Sequence, residues 1–576
     1  MLIKGTLGDD FFPVGSDVNG TTEDDLILAF SGDDRIFGDA FLFSAPYIFG
    51  DDRIIAGLGD DTVFGDSGVF DAVVTYGNDD IRGGLGDDTL YGENVVVEGQ
   101  TGGNDRISGG IGNDTLYGDA FLTVSGGTGG NDLLLGGPGS DVLIGETAFG
   151  IFNHAGGHDR IYGGAGNDII SGDYRFQMFS GVGGNDFIDG GQGDDVIAGD
   201  SGRDLMGSTA TESYAIGGDD VILGGEGDDI IYGDAGSIEL GASIMGYYAQ
   251  GGDDLIFGGS GHDILVGDAF RLVAYAGETL TAAIAGHDEI HGGAGDDEIY
   301  GDVGGFGGAA EAGSILGNDL LYGDAGDDLI VGDANHLVEA PSVQSHLAAE
   351  TFAGDDVIYG GSGNDTIYGD MRFDPFAPIA YSSGSDTIFG GAGDDRIFTG
   401  LTGFANLISA GSDEAHGGTG DDLIKGGAGA DRLYGDEGND TLYGTSSFLL
   451  AAVAGDELYG GAGNDTLFGS QQDDLLFGGS GQDWLSGGRG NDILTGGENA
   501  DVFVFRTNDE TATITDFQDG LDLLDLTSFG FAGFDALLLL ASQVNGDLQI
   551  DFGGGTVLTL ENFALADFTT GDAILT

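Results

Sequence analysis

One nine-residue phrase constrains this chain more than any other feature: Gly460-Gly461-Ala462-Gly463-Asn464-Asp465-Thr466-Leu467-Phe468. With small edits it recurs from near the first residue to about residue 501. A phrase repeated so densely specifies a solenoid, whose coils bury apolar surface only against their neighbours. Glycine at places one, two and four permits positive φ and a tight turn. The sixth-place Asp sets a carboxylate beside the carbonyls that such a turn directs inward. Places seven to nine make one short strand, and period-two alternation sends only the middle residue, Leu467 here, into the core.

The spacing of the sixth-place acid shows how the coils are built. From Asp61 through Asp88, Asp114, Asp141, Asp168 and Asp195 the steps are 27, 26, 27, 27 and 27. Two nonapeptides supply 18 residues of a coil, so about nine more are inserted in every second turn. An insert opens at Gly-Asp or Gly-Glu and closes at a Gly-Asn-Asp type of turn, as Gly118-Asp119 and Gly130-Asn131-Asp132 do. The closing acids are Asp52, Asp79, Asp105, Asp132, Asp159, Asp186, Asp220, Asp254, Asp288, Asp319, Asp356 and Asp386. Three residues after the opening acid stand Leu42, Val69, Val96, Leu122, Phe149 and Phe176. Such a column suggests a third strand row along one flank; the alternative is a set of independent surface loops.

The step lengthens to 34 at Asp229, Asp263 and Asp297, then varies through Asp328, Asp365, Asp395 and Asp422. The longer inserts, including Ile244-Met245-Gly246-Tyr247-Tyr248 and the run from His336 to Thr351, are the natural place for partner specificity. Uninterrupted nonapeptides follow at Asp422, Asp431 and Asp440. After one more insert they resume at Asp465, Asp474, Asp483, Asp492 and Asp501. Trp484, at a seventh place, is expected to face outward.

Composition fits this reading and excludes others. With 100 acidic against 15 basic residues the formal net charge is −85, which excludes ordinary nucleic-acid binding. Such a chain repels itself unless cations neutralise it. It has no cysteine, so neither disulfides nor thiol redox chemistry contributes. No apolar run approaches the roughly 18 residues of a membrane span, so membrane insertion is not expected. Met1 to Gly15 lacks the pattern of a secretory leader, and no separate domain is expected before the repeats.

A carboxylate, several backbone carbonyls and no His or Cys describe a hard-cation oxygen site. It favours Ca²⁺ over zinc or copper, and over magnesium with its strict octahedron. A metal-free solenoid would stack acidic turns about 4.8 Å apart, well inside the roughly 8 Å screening length. The repeated phrase resembles the calcium-binding nonapeptide of the RTX (repeats-in-toxin, hemolysin-type) family. That resemblance implies a parallel β-roll with ions between the turns of successive coils, held by the sixth-place and insert-closing Asp side chains and by glycine-turn carbonyls. The expected fold is therefore all-β, a parallel β-roll or β-solenoid over residues 1–500, with multiple Ca²⁺.

After Asp501 the phrase stops. Segments 501–505, 514–517, 522–526, 548–552 and 556–560 alternate like strands, and 535–541 suits a short helix. Residues 501–576 read as a cap over the open end of the roll. They also resemble the C-terminal region of RTX proteins exported by type I secretion, which implies an exporter as partner and an extracellular or cell-surface location.

Catalysis finds no support in the spacing. His287-Asp288-Glu289-Ile290-His291 lies in a turn-plus-strand unit, and its Glu is misplaced for a zinc-protease helix. Paired acids such as Asp194-Asp195 recur at every coil and are turn chemistry. Two non-enzymatic readings remain. One is a secreted, calcium-rigidified structural protein that self-associates into a homopolymer: a layer, filament or biofilm matrix. The other is an adhesin or carbohydrate-binding module that uses the inserts.

Overall fold

The computed structural model describes residues 2–4, 11–13, 24–38, 47–66, 74–93, 96–97, 100–120, 122–123, 127–147, 149–150, 154–174, 181–200, 205–207, 213–234, 238–240, 247–274, 282–308, 314–335, 350–370, 380–400, 407–409, 411–445 and 455–576. It divides into two units, Met1–Leu320 with Asn335–Glu350, and Leu321–Ala334 with Thr351–Thr576. Each is a parallel β-roll, as the phrase predicts.

In the first unit every coil gives one strand to each of two parallel ladders. Six-residue strands such as Arg53–Leu58, Asp80–Leu85 and Arg106–Ile111 stack in register, Ile54 on Ile81 on Ile107. Three-residue strands such as Thr62–Phe64, Thr89–Tyr91 and Thr115–Tyr117 stack opposite, Val63 on Leu90 on Leu116. All six of these side chains have no exposed surface. Strands this short bury one or two side chains each, so a coil has no core of its own and depends on its neighbours.

The second unit repeats the plan. Thr466–Phe468 buries only Leu467, with Thr466 and Phe468 half-exposed. Trp484 opens the strand Trp484–Ser486 at its half-exposed end, where its ring meets the edge of Phe468 at 5.1 Å. Third strand positions form ring columns in both units. Phe37, Phe64, Tyr91 and Tyr117 stack in one, with Phe64 and Tyr117 buried. Tyr359, Phe389, His416, Tyr434, Tyr459 and Phe477 stack in another, with centroids 4.4–5.1 Å apart. Strand spacing sets that separation, so the rings cover one another's faces.

The inserts add more than the sequence suggests. Val96–Val97, Leu122–Thr123 and Phe149–Gly150 pair in parallel with Val96, Leu122 and Phe149 in register, which is the expected third row. Leu42, Val69 and Phe176 lie outside the described residues. A further row was not anticipated: Gln100–Thr101, Gly127–Thr128, His154–Ala155, Gly181–Val182 and Ser213–Ile216 pair successively where each insert returns to the roll. Strands of two to four residues, several with glycine or polar residues, carry no periodicity to detect.

Past residue 501 the ladders continue. Thr511–Ile514 pairs in parallel with Asn491–Glu498, and Leu523–Asp525 with Val502–Val504. The order changes only at Ala541–Val544, Asp547–Gly553 and Thr556–Leu560, which pair antiparallel in sequence. A helix, Phe534–Leu538, precedes them.

The glycines of the phrase divide their work differently from the expectation. Gly461 and Gly463 have φ of +108° and +143°, but Gly460 is not in the positive region. Place one is glycine for space: a Cβ there would stand 2.5 Å from Oδ2 of Asp465 and 2.5 Å from the carbonyl oxygen of Gly478. Gly463 has both constraints, since its Cβ would lie 1.5 Å from the carbonyl oxygen of Gly438. Gly463→Ala is therefore expected to cost at least about 1–3 kcal/mol. The loss should appear in calcium-saturated protein as faster amide exchange at residues 438–485, with coils near Leu90 unchanged.

Candidate metal centres

Within the repeats, most strands of the two core ladders follow an Asp whose backbone and side chain do separate jobs. The N–H of Asp61 donates to Oδ1 of Asp88 at 2.8 Å, that of Asp88 to Asp114 at 2.8 Å, and that of Asp114 to Asp141 at 2.7 Å. The column runs on through Asp168, Asp195, Asp229, Asp263 and Asp297. On the other side of the roll a second column passes from Asp52 through Asp79, Asp105, Asp132, Asp159, Asp186, Asp220, Asp254 and Asp288 to Asp319.

The second unit has the same two columns. One holds Asp328, Asp365, Asp395, Asp422, Asp440, Asp465 and Asp483. The other holds Asp356, Asp386, Asp431, Asp474 and Asp492. Every sixth-place and insert-closing acid named in the sequence falls in a column, and the plain nonapeptides alternate between sides. The columns also contain Asp34, Asp413, Asp456, Asp501 and Asp522. Asp413 and Asp456 close inserts in Gly-Ser-Asp and Gly-Asp, and that shared position was the signal for them.

The other oxygen defines the chemistry. Oδ2 of Asp61, Asp88, Asp114, Asp141, Asp168, Asp195, Asp229 and Asp263 is buried with no hydrogen-bond partner, as it is in Asp79, Asp105, Asp132, Asp365, Asp395, Asp440, Asp465 and Asp483. A buried carboxylate oxygen without a donor is costly. Repeated at this frequency it makes these turns candidate cation sites. Around each Oδ2 the donors are oxygens: a Cβ on Gly190 would meet Oδ2 of Asp195 at 2.5 Å and the carbonyl of Gly224 at 2.6 Å. That set fits a hard cation such as Ca²⁺.

Asp474 departs from the pattern. Ser470-Gln471-Gln472 replaces the usual glycines, and the Ser470 N–H and hydroxyl both donate to the Asp474 carboxylate.

A separate polar ladder runs beside the acids. Fifth-place side chains accept from the next coil: Asn104 N–H donates to Asn78 Oδ1 at 2.8 Å and Asn131 N–H to Asn104 at 2.8 Å. His158, His262 and His287 stand in this ladder, each accepting at Nδ1 from the next backbone N–H. They are turn residues. His291, in the strand Glu289–Ala294, stacks on Phe257 and faces Glu289.

Burial raises the carboxyl pKa values, each Asp's backbone hydrogen bond partly offsets it, and neighbouring carboxylates add to it. Asp61 is raised to about 6, Asp168 to about 7 and Asp88 and Asp440 to about 8. Asp79 is raised by burial, then by Asp66 and Asp105.

The profile of the RTX calcium-binding nonapeptide repeat (4 copies) matches this chain in sixteen stretches: 17–41, 49–69, 74–94, 101–121, 126–147, 155–173, 178–206, 214–237, 247–271, 285–305, 316–336, 352–371, 382–401, 408–444, 454–485 and 477–505. A search of curated proteins found no match. Among solved structures, the AlgE6R3 subunit of the Azotobacter vinelandii mannuronan C5-epimerase is 24% identical, covering 22% of this chain and 82% of its own, with a TM-score of 0.18. The extracellular lipase LipA of Serratia marcescens is 22% identical, with a TM-score of 0.15; 43% of this chain aligns with 45% of the lipase. Among the described residues no helix is long and apolar enough to cross a membrane.

Two outcomes are expected. In chelator, carboxyls raised to about 6–8 from the ordinary 3.8 favour folding when protonated. Their stabilisation is complete below about pH 4 and is lost as pH rises through 6–8, so β-structure measured by circular dichroism should increase on acidification. Asp465→Asn keeps an acceptor for Asp440 N–H but removes one charge. It should leave more residual β-structure in chelator, read by circular dichroism, and hasten local unfolding in millimolar calcium, read by hydrogen exchange.

Proposed function

The chain belongs to the RTX calcium-binding nonapeptide repeat family, and from that premise we propose that it is a secreted structural protein folded by calcium outside the cell. The observation that carries this reading is the pair of acid columns, in which Oδ2 of Asp88, Asp114, Asp141 and Asp168 on one side and of Asp105, Asp132, Asp159 and Asp186 on the other is buried with no hydrogen-bond partner. The residues that would hold the ions are the column acids Asp61 to Asp297 and Asp52 to Asp319 in the first unit. In the second they are Asp328 to Asp483 and, apart from Asp474, Asp356 to Asp492, with glycine-turn carbonyls completing each site. Calcium supplies the positive charge that the protein withholds.

Compartment then decides the state of the chain. For a site with a dissociation constant near 10⁻⁴ M, about 10 mM calcium adds about 2.7 kcal/mol, whereas sub-micromolar cytosolic calcium adds essentially nothing. A chain that unfolds in the cytosol suits passage through a type I exporter, and residues 501–576 are assigned as the cap and exporter-read region. Residues 1–500 are the calcium-binding roll.

Self-association into a layer, filament or matrix draws support from one surface feature of the first unit. Leu58, Leu85 and Ile111 occupy one register row and are 46–56% exposed. An apolar row held on a rigid ladder is a natural contact for a second copy.

The test is direct. Circular dichroism should show little order in EGTA and a β-rich spectrum in millimolar calcium; identical spectra overturn the calcium reading. Negative-stain images in calcium should show ordered polymers. Replacing Leu58, Leu85 and Ile111 by Ser should disperse them without changing the spectrum.

A further inference from the structure

The acids that open the inserts have so far had no role. In the first unit Glu146, Asp173, Asp200, Asp234 and Asp268 each stand three residues after a core side chain, Leu143, Ile170, Ile197, Ile231 and Leu265. None is more than 3% exposed. One carboxylate oxygen ties the insert closed. Asp173 accepts the Gly184 N–H at 2.8 Å, Asp200 that of Gly218 at 3.0 Å, Asp234 that of Gly252 at 2.7 Å and Asp268 that of Gly286 at 2.6 Å. Glu146 does the same with Gly157.

The second oxygen of each is buried and has no hydrogen-bond partner: Glu146 Oε2 and Oδ1 of Asp173, Asp200, Asp234 and Asp268. It does not point into apolar space. The opening acids of two consecutive coils converge on the closing acid between them. Glu146, Asp159 and Asp173 bring carboxylate oxygens within 4.8 Å of one another, as do Asp200, Asp220 and Asp234, and again Asp234, Asp254 and Asp268. Oδ2 of Asp159, Asp220 and Asp254 is partnerless as well. Among the described residues no Lys or Arg is ion-paired with any of these acids.

A 4.8 Å spread matches oxygens on opposite sides of a cation that sits about 2.4 Å from each. Three carboxylates in one shell also differ from a plain turn, where carbonyls make up more of the donor set. Affinity of oxygen sites for calcium rises with the number of charged ligands and with rigidity. Here the ligands are tied at the second oxygen to a backbone N–H, which supplies the rigidity.

We propose that the insert-bearing flank holds a distinct class of three-carboxylate calcium sites, tighter than the plain turns, with the insert-opening acids as ligands. The proposal rests on the calcium reading of the roll and extends it: the inserts convert ordinary turns into high-charge sites. As calcium rises, this flank fills first and the plain nonapeptides of the second unit later.

The test is equilibrium dialysis of the full chain against buffered free calcium, with bound metal counted by atomic emission. The curve should have two steps, the tighter at least about tenfold lower in free calcium. Asp173→Asn, Asp200→Asn and Asp234→Asn together keep acceptors for the glycine N–H groups but touch three clusters, so the variant should lose about three ions from the tight step. Asp440→Asn, Asp465→Asn and Asp483→Asn should lose ions only from the weaker step. A single step in the parent protein, or a tight step unchanged in the first variant, overturns the proposal. If that variant fails to fold in calcium, terbium decides. Tyr174 is fully buried beside Asp173, Glu146 and Asp200, so Tyr174→Phe should reduce tyrosine-sensitised terbium emission at the first equivalents, and unchanged emission overturns the proposal. A parent protein that binds no calcium at millimolar concentration would sink the calcium reading itself, which is a different failure.

Discussion

The structure depends on a repulsion that the protein does not cancel by itself. Carboxylates such as Asp88, Asp114 and Asp141, or Asp105, Asp132 and Asp159, stand one strand spacing apart and are buried, and among the described residues no Lys or Arg is ion-paired with them. At about 4.8 Å and reduced dielectric, each neighbouring pair of charges costs more than a surface pair does. Backbone N–H donation to one oxygen removes part of that cost. The other oxygen is left for an external positive charge, either a proton or a metal ion, and the raised carboxyl pKa values are the protonic form of the same demand.

That division of labour explains why the ladder is directional. Each column acid lends Oδ1 to the preceding coil, so register is fixed by side chains as well as by strand pairing. The fifth-place ladder runs the opposite way, since Asp87 N–H donates to Asp60 and Asn113 N–H to Asp87. A coil is thus clamped from both directions before any ion is considered. A bound cation would neutralise charge, while the polar ladders determine where the carboxylates stand.

Much of this was legible in the sequence because the repeat is so regular. The three-residue strands, their buried middle residue, the acid positions and the third row at Val96, Leu122 and Phe149 follow from spacing, whereas the other ladder's six-residue strands, which run on into the glycines and bury a second position, do not. Other features escaped it for identifiable reasons. Alternate plain nonapeptides belong to opposite columns, which a list of Asp residues does not display. The work of Gly460 is to leave room rather than to supply φ, and both demands select the same residue. Asp474 matches the phrase by position, yet Ser470 occupies its carboxylate. The insert-opening acids look like ordinary turn residues until the fold brings two coils together on one closing Asp.

The inserts then acquire a physical rationale. Extra chain in every second turn would ordinarily loosen a solenoid, because each insert must be ordered at an entropic cost. Here the residues that open and close the insert hold it shut: Asp234 accepts from Gly252, and Asp268 from Gly286, across eighteen positions of chain. The strand rows at the insert's two ends extend the same register outward. An insert of any length can therefore be accommodated if its ends keep the acid and the glycine. This explains how the step changes from 27 to 34 without disturbing the core columns, where Ile188 stacks on Ile222 across that change as Ile161 stacks on Ile188 before it. Variation is confined to the middle of the insert, and the roll beneath remains a constant platform.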